Sequence, residues 1–184
     1  MKIVVVGFTD FFIRKCFSMK IIKGDLVELA KDFQFDVIGH SCNCFCRMGR
    51  GIAPQLALAF GCDNFLLEQP KYVGDYNKLG QIDYGVHTRS ATLKENRKKL
   101  IVVNCYSQYH WKQPGKYGIP CDYDALRLCM RKINFEFQGL TLGLPYLISA
   151  GLACGDEGKI LKILEEELID MTVTLVHREL GIAS

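Results

Sequence analysis

GHSCNCFCRMGRGIAPQ, residues 39–55, places a histidine, an asparagine, three cysteines and three glycines in one short stretch. Just before it, FDVIGH (35–40) is a brief apolar run of the strand type. Just after it, GIAPQLALAF (51–60) repeats Ile52, Leu56 and Phe60 at four-residue spacing, the buried stripe of a helix. Strand, glycine-bearing turn and helix in that order form the basic unit of an α/β layer fold. The turn is open to three chemistries: a metal site, a nucleophilic thiol, or a backbone wrapped around a ligand. Cys42, Cys44 and Cys46 form C-x-C-x-C without the second pair of ligands that a structural zinc site uses. No partner that would orient or activate one thiol is identifiable, so the cysteines read best as small buried hydrophobes. No metal is expected.

The same alternation runs outward in both directions. KIVVVG (2–7) and KIIKG (20–24) read as strands, and DLVELAKDF (25–33) as a helix opened by an acidic cap. GQIDYGVH (80–87) and KKLIVVNCY (98–106) read as an antiparallel or edge pair, because the polar TRSATLKENRK between them holds no helix. A helix is expected from about Asp122 to Ile133, then a strand over GLPYLISA (143–150). KILKILEEEL (159–168) carries Ile160, Leu164 and Leu168 on one helical face, and MTVTLVH (171–177) closes as a strand. Residues 1–18 stand apart as an N-terminal extension or extra strand, and 19–184 as one domain, the size that a chain of 184 residues suits.

Charge narrows the partners. A net charge of +3 is too small to argue for wrapping duplex DNA, and the aromatic and basic residues of SQYHWKQPGKYG (107–118) form no extended basic face, so nucleic acid ranks below a small anion. Nine cysteines, an odd number in apolar contexts, suit reduced thiols and an intracellular, cytoplasmic location, with a nuclear one left open. No segment has the length of a membrane span or the pattern of a secretory signal. Composition does not decide the oligomeric state.

Two strand-to-helix turns have the composition of ligand loops: HSCNCFCRMGRGIA (40–53) and SAGLACGDEG (149–158). Glycine lets main-chain amides approach phosphate oxygens, and helix N-termini add partial positive charge. Neither turn matches G-x-x-x-x-G-K-[ST] or G-x-G-x-x-G, which disfavours an ordinary ATPase or a nicotinamide dehydrogenase.

The order KGDL, VIGHSCNC…GRGIAPQLALAF, VVNCYSQ and ISAGLACGD resembles the macrodomain, in particular its ADP-ribose 1″-phosphate phosphatase branch, over about residues 19–177. The resemblance implies an α/β/α three-layer sandwich on a mixed central sheet, with ADP-ribose or a derivative as ligand and no cofactor. Asp25 would accept from the adenine amine, with Leu26 beside it. Asn43 would contact the distal ribose, and Gly49, Gly51, Ile52 and Ala53 would wrap that sugar and its phosphate. Ser149, Ala150, Gly151, Leu152, Ala153, Cys154 and Gly155 would cradle the diphosphate. Tyr106 and Gln108 would line the cleft. For metal-independent hydrolysis of the 1″-phosphate, His40 would serve as acid or base and Asp156 would orient water or the histidine. The alternatives are a noncatalytic ADP-ribose binding module and a hydrolase acting on ADP-ribosylated protein or nucleic acid. Ser149 and Cys154 stand where the family often has glycine, and Gln108 stands where a hydrolase branch carries lysine, which disfavours lysine-type chemistry.

Overall fold

The computed structural model describes residues 18–88 and 98–178, and the strand expected over residues 2–7 lies outside them. Six strands form one sheet: β1 (Ser18–Lys23), β2 (Val37–Asn43), β3 (Ile82–Thr88), β4 (Lys99–Gln108), β5 (Thr141–Pro145) and β6 (Thr172–His177). Their spatial order is β1-β6-β5-β2-β4-β3. Every neighbouring pair is parallel except β3 with β4, which is antiparallel, as expected from the sequence.

Four helices cover the two faces: α1 (Leu26–Lys31), α2 (Ala53–Phe60), α3 (Tyr123–Glu136) and α4 (Glu157–Glu167). Period-two alternation in the strands feeds both layers. Ile38, Leu100, Val102 and Val176 pack with Leu26, Ala30, Leu56 and Phe60 of α1 and α2. Val37, Val103, Leu142, Leu144 and Leu175 pack with Leu126, Met130 and Ile133 of α3 and with Ile160 and Leu164 of α4. The result is the three-layer sandwich on a mixed sheet that the sequence implied. Gly143 marks how closely the layers meet, since a Cβ there would lie 2.7 Å from the Phe35 ring.

One boundary differs from expectation. β5 stops at Pro145 rather than running on to residue 150. The chain turns there, with Ile148 N–H donating to Pro145 O at 3.0 Å and Ala150 N–H to Leu147 O at 3.0 Å. This early turn brings the second glycine-rich loop over the end of the sheet, beside the loop that follows β2. Both leave the carboxyl ends of adjacent parallel strands, the rim where open α/β sheets bind ligands.

Candidate functional site

The two loops enclose a cleft of about 720 Å³. Gly49, Gly51, Ile52 and Ala53 line one wall, and Ser149, Gly151, Leu152, Ala153 and Cys154 line the other. Gly51 has a left-handed φ of 67°, and a Cβ there would sit 3.5 Å from Leu152 across the gap. α2 begins at this wall with no side chain capping its first turn; Pro54 has no N–H and Gln55 N–H donates to Ile52 O at 3.1 Å, which leaves the Ala53 amide to meet an acceptor. A smaller cleft of about 210 Å³ adjoins it, lined by Asp25 and Leu26, and shares Ile52, Pro145 and Leu147 with the larger one. One carboxylate oxygen of Asp25 caps α1, accepting from Val27 N–H at 2.8 Å and Glu28 N–H at 3.3 Å. The other lies 3.6 Å from Arg178.

Positive charge collects in the larger cleft. Arg47, Arg50 and Lys112 line it together with Trp111 and Gln108, and among the described residues no carboxylate lines it. Among the described residues none of the three cations has an ion-pair partner, whereas Lys31, Lys71, Lys116, Arg127, Arg131 and Lys162 each pair with a carboxylate. Arg47 lies 4.5 Å from the Trp111 ring centroid, which holds its guanidinium at the rim. Sequence reading missed these cations, Trp111 and also Ser41. The R-M-G-R spacing of Arg47 and Arg50 inside the first glycine turn was the available signal.

Other expected residues stand elsewhere. His40 and Ser41 are neighbours on β2, so their side chains leave opposite faces of the sheet. Ser41 faces the cleft. His40 is fully buried on the α1/α2 side and does not line the cleft; its Nε2 lies 2.7 Å from Asn104 Oδ1, with the Cys42 and Cys62 sulfurs at 3.6 and 3.9 Å. Burial disfavours the imidazolium and lowers its pKa to about 4, with the Asn104 hydrogen bond opposing. A ring sealed in this way is out of reach of a ligand in the cleft, so direct acid–base contact does not follow from the geometry. Asp156 caps α4, accepting from Lys159 N–H at 2.8 Å, and is likewise absent from the cleft lining.

Tyr106 is fully buried beside Cys42, Cys44 and Cys46, and its hydroxyl donates to Asp83 Oδ2 at 3.3 Å. It belongs to the core because β4, like β2, alternates faces. Ala150 and Gly155 support the second loop without lining the cleft: a Cβ on Gly155 would lie 2.6 Å from Ser149 O. Asn43 lines the cleft but spends its amide on its own loop. Its Nδ2 donates to Arg47 O at 2.8 Å and its Oδ1 accepts from Phe45 N–H and Arg47 N–H, both at 3.2 Å. It thereby shapes the wall on which Arg47 stands. The three cysteines of the opening stretch are buried free thiols, with burial raising Cys44 to about 12.

A sandwich of this topology with two glycine-rich loops at one rim defines a macrodomain fold. Solved structures share it: the macrodomain of Thermus aquaticus DarG superposes with a TM-score of 0.52 at 18% identity, covering 88% of this chain and 97% of that one. Thermosipho africanus DarTG in complex with ADP-ribose gives a TM-score of 0.60 at 15% identity, covering 89% of this chain and 42% of that one. No protein-family model matches the sequence. In sequence, the chain is 34% identical over 168 residues to an uncharacterized 17.5 kDa protein of the tk-vs intergenic region of Enterobacteria phage T4, covering 88% of this chain and 97% of that protein. It belongs to the family of that phage protein.

Proposed function

We propose that the joined clefts bind ADP-ribose. The observation that carries this reading is the gathering of Arg47, Arg50 and Lys112, without carboxylate partners among the described residues, around a cleft walled by two glycine-rich loops and the uncapped start of α2. Such a site suits a diphosphate, because each hydrogen bond to a charged oxygen contributes about 1.5 to 3 kcal/mol. The adjoining cleft at Asp25 takes the adenine, whose exocyclic amine donates to the carboxylate. The adenine-side ribose then spans the shared wall of Ile52, Pro145 and Leu147, and the diphosphate and distal ribose extend into the larger cleft. A protein of the same fold in complex with ADP-ribose supports the choice of ligand.

Metal-independent hydrolysis of ADP-ribose 1″-phosphate is the second reading. It is favoured by a third cation beyond the two negative charges of the diphosphate. It also needs a group to move a proton at the leaving sugar oxygen. The described lining of the cleft includes no imidazole or carboxylate, so binding without turnover fits the geometry better. Release of inorganic phosphate from the 1″-phosphate compound, measured with and without a chelator, separates the readings. Chelator-insensitive release establishes the phosphatase, whereas saturable ADP-ribose binding with no release establishes the binding module. Absence of ADP-ribose binding to folded protein overturns both.

A further inference from the structure

Ser149 holds a left-handed backbone with φ 57°, a conformation that disfavours every residue carrying a Cβ and that glycine adopts freely. A strained residue beside a ligand cleft points to something its side chain does there. The Ser149 hydroxyl lies 3.0 Å from Ser107 Oγ and 3.0 Å from Ser41 Oγ, and Ser41 and Ser107 also hydrogen-bond to each other. β2, β4 and the turn after β5 thus each contribute one hydroxyl to a closed triangle. Ser41 and Ser149 line the cleft, and Ser107 is fully buried behind them.

Each hydroxyl has one proton and two lone pairs. Closed on itself, the triangle consumes all three protons and offers none to the cleft. A rotation of two hydroxyls changes this. If Ser107 and Ser149 both donate to Ser41, its oxygen accepts twice and its own proton is free to point outward. Each accepted bond polarises that O–H further.

We infer that Ser41 donates a hydrogen bond to a phosphate oxygen of the ligand, and that Ser107 and Ser149 are positioning residues that direct its proton. This rests on the ADP-ribose reading and deepens it: the diphosphate meets a neutral hydroxyl donor in addition to main-chain amides and rim cations. It also accounts for a serine where a glycine would be unstrained.

Ser149→Gly provides the test, because it relaxes the backbone while removing the hydroxyl. Its melting temperature should be equal to or above that of the wild type, while its affinity for ADP-ribose falls roughly tenfold, the worth of one such hydrogen bond. Ser41→Ala should lose at least as much, and Ser41→Thr, which keeps the hydroxyl, should retain affinity. Adenosine, which carries no phosphate, should bind the wild type and all variants alike. A Ser149→Gly protein that binds ADP-ribose as tightly as the wild type would show the triangle to be scaffold and overturn the inference. Parallel loss of adenosine binding would overturn the assignment to phosphate. A wild type that binds no ADP-ribose removes the functional reading itself, and the serine assignment with it.

Discussion

His40 and Ser41 are consecutive residues on one strand with opposite fates. On the α1/α2 side, His40 joins Asn104, Cys42, Cys62, Glu68 and Asp83 in a sealed polar pocket. There Asn104 Nδ2 donates to Cys62 O at 2.9 Å and Leu67 N–H donates to Asp83 Oδ2 at 2.7 Å. On the other side, Ser41 opens on a cleft whose cations have no carboxylate partner among the described residues. The sealed face pairs most of its polar groups from within, although Glu68 Oε2 and Asp83 Oδ1 are buried without a hydrogen-bond partner among the described residues. The open face leaves three cations without carboxylate partners among the described residues, as the proposed ligand site requires. Adjacent residues of one strand therefore carry different chemistry according to which side of the sheet they leave.

The sharpest way to break this comparison is His40→Ala. Loss of the ring leaves Asn104 Oδ1 without its 2.7 Å partner and opens a cavity, so stability should fall by about 3 to 4 kcal/mol. ADP-ribose affinity of the folded fraction should be unchanged. Denaturant melts paired with calorimetry check both, and a stable variant with lost affinity would erase the distinction between the faces.

The histidine was legible as a motif residue, but its direction was not. Period-two alternation shows that His40 and Ser41 part company without showing which side stays open. That depends on segment 62–80 covering one face, where Cys46 Sγ donates to Leu67 O at 3.4 Å and Lys78 Nζ to Cys46 Sγ at 3.0 Å. Nothing in the local pattern announces that cover. Tyr106 was misplaced for the same reason. By contrast, the layers, the antiparallel β3–β4 pair and both glycine-rich loops follow from hydrophobic spacing and glycine position, which are local. The end of β5 was lost because Pro145 and the following turn lie within a continuous apolar run.

A second effect sharpens the account of the sealed face. Burial raises Glu68 to about 7, well above the ordinary carboxylate, and lowers His40 to about 4. Glu68 therefore opposes folding once ionised, and stability attributable to it is lost as pH rises from about 4.5 to about 7. Glu68→Gln should be stabilising relative to wild type by up to about 3 kcal/mol at pH 8, and the advantage should disappear near pH 4. His40 acts in the opposite sense: its contribution is present above about pH 6.5 and is lost as pH falls toward 4. Urea melts across this range check both signs.

The open face responds to charge instead. Arg50→Ala should weaken ADP-ribose binding by about 1.5 to 3 kcal/mol and change stability by less than about 0.5 kcal/mol, read by calorimetry and thermal melting. Raised salt should shrink the difference. The smallest effect belongs to the edge of the smaller cleft. Asp25→Ala removes the α1 cap and should cost about 1 kcal/mol of stability, whereas Asp25→Asn retains the cap.

Trp111 is the protein's sole tryptophan and lines the cleft. Titrating ADP-ribose while following its fluorescence therefore reads occupancy of the open face directly. A saturable change in emission, with a midpoint matching calorimetry on the same sample, is the predicted result. Heat of binding with silent Trp111 emission, or no binding at all, would contradict the placement of the ligand between the two glycine-rich loops.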